Sequence, residues 1–225
     1  MSTYTEIDTN TAISFILPKH YSGRKPHVKY AFGEYKGNDL VAVCIFGIPA
    51  TQFLCTGVCG PDMKDYVVEL NRLCRVDNYD GILSQFVAWC LKQIGNKIVV
   101  SYSDTAMNHH GYIYQALNFL YTGCTKERTD MYYVSSPEKH PRHISDYGNY
   151  RQIRSPKHRY VLFVGSKKFK REMKKLLKYP IEKYPKGDNN ENYKLGDFLK
   201  PIVVDENRNI IELKEKKMTK IDEFF

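Results

Sequence analysis

Apolar and polar positions alternate along this chain in blocks that switch period several times. Thr9 to Leu17 carries apolar residues at helical spacing, and Pro18 stops it, which predicts a short first helix. His27 to Tyr35 and Leu40 to Ile48 have the period of strands, and Lys36-Gly37-Asn38-Asp39 between them predicts a hairpin turn. Pro49 to Asp62, rich in Thr, Gly and Cys, is expected to be a loop. Tyr66 to Val76 predicts a strand. Strict alternation puts Leu70, Arg72, Cys74 and Val76 on one face of it and Glu69, Asn71, Leu73 and Arg75 on the other.

The turn Asp77-Asn78-Tyr79-Asp80-Gly81 opens a helix over Ile82 to Gln93, where Ile82, Phe86, Trp89 and Cys90 share a stripe. Lys97 to Tyr102 predicts a strand and Asn108 to Leu120 a helix. Met131 to Val134 and Tyr160 to Val164 predict late strands. Lys167 to Tyr179 predicts a basic amphipathic helix with Phe169, Met173, Leu176 and Leu177 as its stripe. From about Lys186 the chain turns polar, with a small hairpin expected over Pro201 to Leu213 around Asp205-Glu206-Asn207. This order predicts an α/β (α+β) layered fold with one helix-connected parallel strand pair.

Composition narrows the class. At 225 residues and 42% hydrophobic, the chain can build one sizeable core. No apolar run approaches the roughly 20 residues that span a bilayer, and the first ten residues lack a signal-peptide pattern. The expectation is a soluble cytoplasmic protein. Six cysteines without a secretion signal suggest reduced thiols; Cys55 and Cys59 lack the second close pair that a structural zinc site needs. The net charge of +9 is concentrated: Arg151 to Lys178 holds eleven Lys or Arg against one acid, Glu172. Such a block suggests a polyanion partner.

Three places carry candidate chemistry. The strand Ile98-Val99-Val100 runs into Ser101, Tyr102, Ser103 and Asp104, then a loop with His109 and His110. Polar groups at a strand's carboxyl end mark ligand sites in open α/β sheets. Asp104 and a neighbouring histidine suit acid/base work or metal ligation, with Tyr102 as a second donor. Glu69 and Arg72 are costly inside a sheet strand unless paired, and Arg72 suits an anion or carbonyl. The strand-to-helix turn after Val76 offers free N–H groups to a phosphate, although Asp77 and Asp80 oppose an anion there. His20-Tyr21-Ser22-Gly23, in a loop, is a secondary candidate. His140 and His143, spaced by Pro-Arg near the basic block, read as polyanion contacts or solvent-facing groups rather than metal ligands.

The chain resembles the phage Mom-type DNA adenine modification family. The resemblance rests on His20-Tyr21-Ser22-Gly23, Glu69-Leu70-Asn71-Arg72-Leu73, Ser84, Ser101-Tyr102-Ser103-Asp104, His110-Gly111-Tyr112-Ile113-Tyr114-Gln115-Ala116 and Asn118-Phe119-Leu120-Tyr121-Thr122-Gly123, in that order. That family is similar in turn to GNAT acyltransferases, which implies a mixed central sheet flanked by helices, here with a basic C-terminal extension. The implied organisation is a catalytic domain over 1–150, a basic strand–helix extension over 151–185 and a polar tail over 186–225.

The resemblance implies transfer of a carbamoylmethyl group to N6 of adenine in phage DNA, protecting it from host restriction in the host cytoplasm. It implies an acetyl-CoA-like donor and iron. The implied catalytic set is Asp104, His110, Tyr102, Tyr114, Arg72, Glu69 and His20, with His110, Asp104 and His20 as possible metal ligands. Arg75, Val76, Asn78, Gly81, Ser84 and Asn108 would hold the cofactor, although GNAT enzymes show a richer glycine pattern after the position of Arg75. Double-stranded DNA would lie on Arg151, Arg154, Lys157, Arg159, Lys167, Lys168, Lys170, Arg171 and Lys174, with Tyr150 and Tyr160 as stacking partners. The alternatives are a conventional N-acetyltransferase and a non-catalytic DNA-binding protein. The last residues, with Ile221, Phe224 and Phe225, resemble sliding-clamp-binding peptides.

Overall fold

A computed structural model describes residues 2–132, 150–187 and 200–212. The elements in chain order are β1 (Ser2–Glu6), α1 (Thr9–Ile16), β2 (Tyr30–Lys36), β3 (Asp39–Gly47), α2 (Gln52–Cys59), β4 (Val67–Arg75), α3 (Leu83–Gln93), β5 (Lys97–Asp104), α4 (Tyr112–Ala116), β6 (Leu120–Cys124), β7 (Arg128–Tyr132), β8 (Tyr150–Arg154), β9 (Lys157–Val164), α5 (Lys167–Leu176) and β10 (Val203–Val204). Seven strands form one mixed sheet in the order β1-β2-β3-β4-β5-β9-β6. Its parallel pair is β4 and β5, joined through α3. The expected fold class, a mixed sheet flanked by helices, is the one observed.

The chain divides into two compact units, residues 1–126 with 155–199, and residues 127–154 with 200–225. The first holds the seven-stranded sheet. The second holds a three-stranded sheet, β10-β8-β7, whose strands pair antiparallel. The basic block therefore contributes to both: Arg151 and Arg154 lie on β8, while β9 is an interior strand of the large sheet.

Both faces of the large sheet are covered. On one face Phe86, Val87 and Cys90 of α3 and Tyr114 of α4 pack on Phe46, Val68, Leu70 and Val99. On the other, Cys55, Val58 and Cys59 of α2 and Phe169 and Met173 of α5 pack on Val67, Ile98, Val100 and Val161. Ala12 and Ile16 of α1 cover Val43, Ile45 and Cys74 on that second face.

Three local expectations change. Residues 49–62 contain α2 because Thr51 caps it, its hydroxyl accepting from Leu54 N at 3.3 Å, and because the apolar face meets the sheet. The helix expected over 108–120 shrinks to Tyr112–Ala116. Asn108, Gly111 and Asn118 all take left-handed backbone (φ 52°, 72° and 58°), which breaks the run on both sides. The alternation along β4 does not hold through its middle. The β3–β4 register shifts between Ile45, opposite Arg72, and Phe46, opposite Leu70, so Asn71 is an extra residue on β4. Asn71 Nδ2 donates to His27 O at 3.0 Å, and Gly47 leaves room for this crossing: a Cβ there would sit 2.1 Å from the His27 carbonyl oxygen.

A candidate active site where two strands part

The bulge at Asn71 reverses the faces of β4. Val67 and Glu69 before it and Arg72 and Cys74 after it then share the α1/α2 face, as the packing of Val67 and Cys74 shows. Glu69 and Arg72, expected on opposite faces, are thereby brought to one side. The same bulge ends the parallel pairing. β4 and β5 pair from Val67–Ile98 to Leu70–Ser101, while the strands continue to Arg75 and Asp104. The last pair is closed by the Ser101 hydroxyl, which donates to Leu70 O at 2.8 Å. Beyond it lies a fork.

Glu69 stands at the base of the fork. Burial raises its carboxyl above the ordinary value, while the positive charges of Arg72 and Lys157 oppose that rise. Arg72 is held by backbone carbonyls, with Nη1 donating to Asn71 O at 2.6 Å and Nη2 to Arg24 O at 3.3 Å; its Nε is buried without a partner among the described residues. The loop after α1 reaches the same face. His20 stacks on Tyr21 (ring centroids 4.3 Å apart), and Tyr21 meets His109 edge-on at 6.0 Å. Burial raises the Tyr21 phenol, and the charge of Asp104 adds to that.

Burial, then the charges of Arg72, His109 and Lys157, pull His20 down to about 3. Ser22 N–H donates to its Nδ1 at 3.1 Å, so the neutral ring carries its hydrogen on Nε2. His20 is therefore a neutral donor near pH 7. The linkage sign follows: the unfolded chain takes up this proton near the ordinary value of 6.5 and the folded chain near 3. Stability from His20 is present above 6.5 and lost as pH falls toward 3. His20→Gln is expected to flatten the fall in urea midpoint between pH 6.5 and about 4, and an unchanged slope would contradict this assignment.

Tyr114 reaches the fork from the opposite face. It is buried, and burial raises its phenol to about 12, with the Ser101 hydroxyl partly offsetting this. It therefore stays protonated at neutral pH and can donate.

Asp104 is buried and fully engaged. Its carboxylate accepts from Ala106 N at 3.0 Å and from Ser155 Oγ, and pairs with Lys157 Nζ. It caps the turn Thr105–Met107 and fixes the loop carrying His109, whose N–H donates to Asp104 O at 3.1 Å. Tyr102 packs with the α2/α5 cluster on the same face.

His110 goes elsewhere. Its carbonyl accepts from Tyr160 Oη and Gln115 Nε2, and its ring lies 5.9 Å from His158 on the α3/α4 side. Gly187 closes on that ring so tightly that a Cβ would sit 2.0 Å from Nε2. His20, Asp104 and His110 are thus not brought together as a ligand set: His110 faces away and Lys157 takes the carboxylate. Among the described residues no three His, Cys, Asp or Glu side chains converge in a metal-binding group.

The residues implied for a cofactor line the turn between β4 and α3, apart from Asn108. Among the described residues the N-terminus of α3 has no side-chain cap, which leaves the backbone N–H groups of its first turn, at Leu83 and Ser84, to face an acceptor. Arg75 braces the turn, Nη1 donating to Val76 O at 3.2 Å and Asp77 O at 3.3 Å, while Lys36 pairs with Asp80 and removes one opposing charge. Tyr79 Oη donates to buried Glu34 at 2.6 Å. Asn78 is exposed, and Gly81 lies against the Tyr79 ring. Asn108 is an exposed left-handed residue in the loop after β5.

The Mom protein family matches this sequence over residues 2–186, most of the chain and the whole of the fork. The chain belongs to the Mom protein family. No curated protein shows significant similarity to it. Among solved structures, a ribosomal-protein alanine N-acetyltransferase from Escherichia coli is similar (10% identity, 74% of this chain and 96% of that chain covered, TM-score 0.44). So is an N-acetyltransferase from Staphylococcus aureus (14%, 72% and 98%, TM-score 0.45). A third is a GNAT family acetyltransferase from Elizabethkingia anophelis with acetyl-CoA bound (12%, 72% and 98%, TM-score 0.42).

The basic residues of this Mom-family chain separate into two kinds. Several are held by the protein itself. Arg151 donates to Thr129 Oγ1 and Arg154 pairs with Asp130, both at 2.8 Å. Lys157 holds Asp104, and Arg159 donates to Thr122 and lies 3.5 Å over the Tyr179 ring. Those of α5 are different: Lys167, Lys168, Lys170, Arg171 and Lys174 are exposed, while Phe169 and Met173 are buried. Lys167 and Lys168 crowd the helix N-terminus, where the macrodipole is already positive. Tyr160, expected to stack on bases, is fully buried, and Tyr150 is half-buried on β8. His140, His143, Ile221, Phe224 and Phe225 lie outside the described residues. No described helix is long and apolar enough to cross a membrane.

Three groups at the fork are understated by sequence reasoning. Tyr21 stands out only as part of a loop motif. His109 looks equivalent to His110 in the sequence, and the fold separates them. Lys157 belongs by composition with the DNA-binding cations, yet its charge goes to Asp104. The one signal that points to the bulge is Asn71, a polar amide inside an otherwise strand-like run.

Proposed function

We propose that this Mom-family protein is a DNA-modifying transferase that places a carbamoylmethyl group on N6 of adenine, shielding the DNA from restriction. The observation that carries the reading is the fork where β4 and β5 part, with Arg72 the shared neighbour of Glu69 and His20, and Tyr114 close to Ser101 and Glu69 from the other face. The exocyclic amine is a weak nucleophile because its lone pair is delocalised into the ring. It also lies within the duplex, so the base must leave the stack to react.

The division of labour follows from protonation state. Glu69 takes the N6 proton as the new bond forms. His20 Nε2–H and the Arg72 guanidinium steady developing negative charge on the group being transferred. In transfer from a thioester donor the carbon–sulfur bond breaks, and Tyr114 gives its proton to the departing thiolate. Asp104 and Lys157 act as positioning residues that hold the loop with His109 against Tyr21. The uncapped start of α3, with Arg75 beside it, suits the pyrophosphate of an acyl-CoA-type donor. Such a donor, when bound, supplies an activated two-carbon unit at the fork. A carbamoylmethyl product is not a plain acetamide: starting from an acetyl unit it also needs an amine or ammonia donor for the amide nitrogen and a two-electron oxidant at the methyl carbon, so those co-reactants complete the conversion beyond the transfer itself.

Mass spectrometry of nucleosides from DNA of cells expressing the protein tests the reading; DNA with only unmodified adenine, alongside soluble protein, would end it. The exposed cations of α5 are expected to neutralise DNA phosphates. Replacing Lys167, Lys168, Lys170 and Arg171 by Gln should lower the slope of log affinity against log salt by about 0.9 for each phosphate no longer neutralised. An unaltered slope in duplex titrations would place the DNA-binding surface elsewhere.

A further inference from the structure

We propose that Phe53 is a wedge that enters the base stack of duplex DNA, filling the gap left when a base moves into the fork; this rests on the DNA-directed reading above. Phe53 is 89% exposed, the highest among the large apolar side chains described, and Ile48, five residues earlier, is 47% exposed. The helix that carries Phe53 has a buried face, formed by Cys55, Val58 and Cys59, and Phe53 is not on it. The ring projects from the first turn of a helix whose backbone is capped by Thr51.

Its position fits the role. β3 ends at Gly47, whose register partner is Glu69, so the segment leading to Phe53 leaves the sheet beside the fork's carboxylate. Six residues of chain reach at most about 20 Å. α2 packs on Val67, Ile98 and Val100, which keeps Phe53 on the face that presents Glu69 and Arg72. α5 packs against α2 on that same face: Cys59 Sγ lies 3.7 Å from Met173 O, and Lys178 N donates to Val58 O at 2.9 Å. The exposed lysines of α5 thus lie on the same face of the sheet as the helix that carries the apolar tip.

That pairing selects the partner. One projecting ring on a sheet face that also carries exposed cations suits a gap between stacked bases bordered by phosphates, the arrangement used by proteins that wedge or flip bases. An apolar protein groove would ask for a broad apolar patch instead.

The test is fluorescence anisotropy of the full chain with a labelled duplex and with the same duplex carrying one abasic site, where the gap already exists. The wild-type protein should prefer the abasic duplex by about tenfold, the scale of one aromatic–base stack. Phe53→Ala should bind both duplexes alike and keep the wild-type salt slope. Phe53→Trp should keep the preference, with its indole emission quenched on binding. An abasic preference in Phe53→Ala equal to that of the wild type overturns the wedge alone. Failure of the wild-type protein to bind either duplex overturns the wedge and the DNA-directed reading together.

Discussion

Glu69→Gln is expected to lower the rate of adenine modification by roughly 10²–10⁴-fold, the usual contribution of a positioned general base. Glutamine has nearly the same shape and leaves the fork's packing in place, so circular dichroism should change little, and the urea midpoint at neutral pH should hold or rise because the buried charge is gone. The pH profile provides a second readout. Burial raises the Glu69 carboxyl, so the group is ionised only above a pH higher than the ordinary 4.5. Activity should therefore rise with pH along an acid limb displaced upward from 4.5, and the residual activity of Glu69→Gln should lack that limb.

Stability moves the opposite way. The folded chain holds this proton more tightly than the unfolded chain. The Glu69 contribution is greatest below 4.5 and is lost as pH rises through the displaced value. A variant with full activity and an unshifted profile would remove Glu69 from the chemistry and return attention to the histidines of the fork.

Asp104→Ala should act through the fold rather than through a lost base. The substitution deletes the acceptor for Ala106 N, Ser155 Oγ and Lys157 Nζ at a side chain only 4% exposed. Removing one partner of a buried ion pair costs about 3–5 kcal/mol. Lys157, at 36% exposure, can turn partly to solvent, which places the expected loss near the lower end, about 3 kcal/mol. Hydrogen exchange should show residues 105–110 losing protection first, because the cap and the Asp104–His109 bond anchor that loop. Asp104→Asn keeps an acceptor for the cap and should lose less. If Asp104→Ala instead keeps wild-type stability and loop protection while activity disappears, Asp104 belongs among the reacting groups. The two substitutions thus separate the carboxylate that moves a proton from the one that holds the loop.

Much of the architecture is legible in the amino-acid order because it depends on neighbours along the chain. The hairpin turn Lys36-Gly37-Asn38-Asp39, the apolar run Ile98-Val99-Val100 and the stripe of Phe86 and Cys90 encode β2–β3, β5 and α3 by local period alone. One strand–helix–strand unit then dictates the parallel pair, since no short turn can return a chain parallel to itself. The family resemblance of residues 20–135 lies in the sequence as well, and the match over 2–186 extends it.

Other features depend on partners that no local pattern contains. The faces of Glu69 and Arg72 are set by one extra residue, Asn71, which exists only in register against β3. Asp104 is committed by Lys157, 53 residues away. His110 is turned to the far side of the sheet under Gly187, while its neighbour His109 meets Tyr21. α2 is weak as an isolated helix and forms because the sheet offers its cysteines and Val58 a surface to cover. Local order along the chain therefore carries the succession of elements, the parallel pair and the family. Which polar groups meet at the fork is settled only in three dimensions, because a bulge, a crossing loop and a long-range ion pair are properties of two segments in contact rather than of either one.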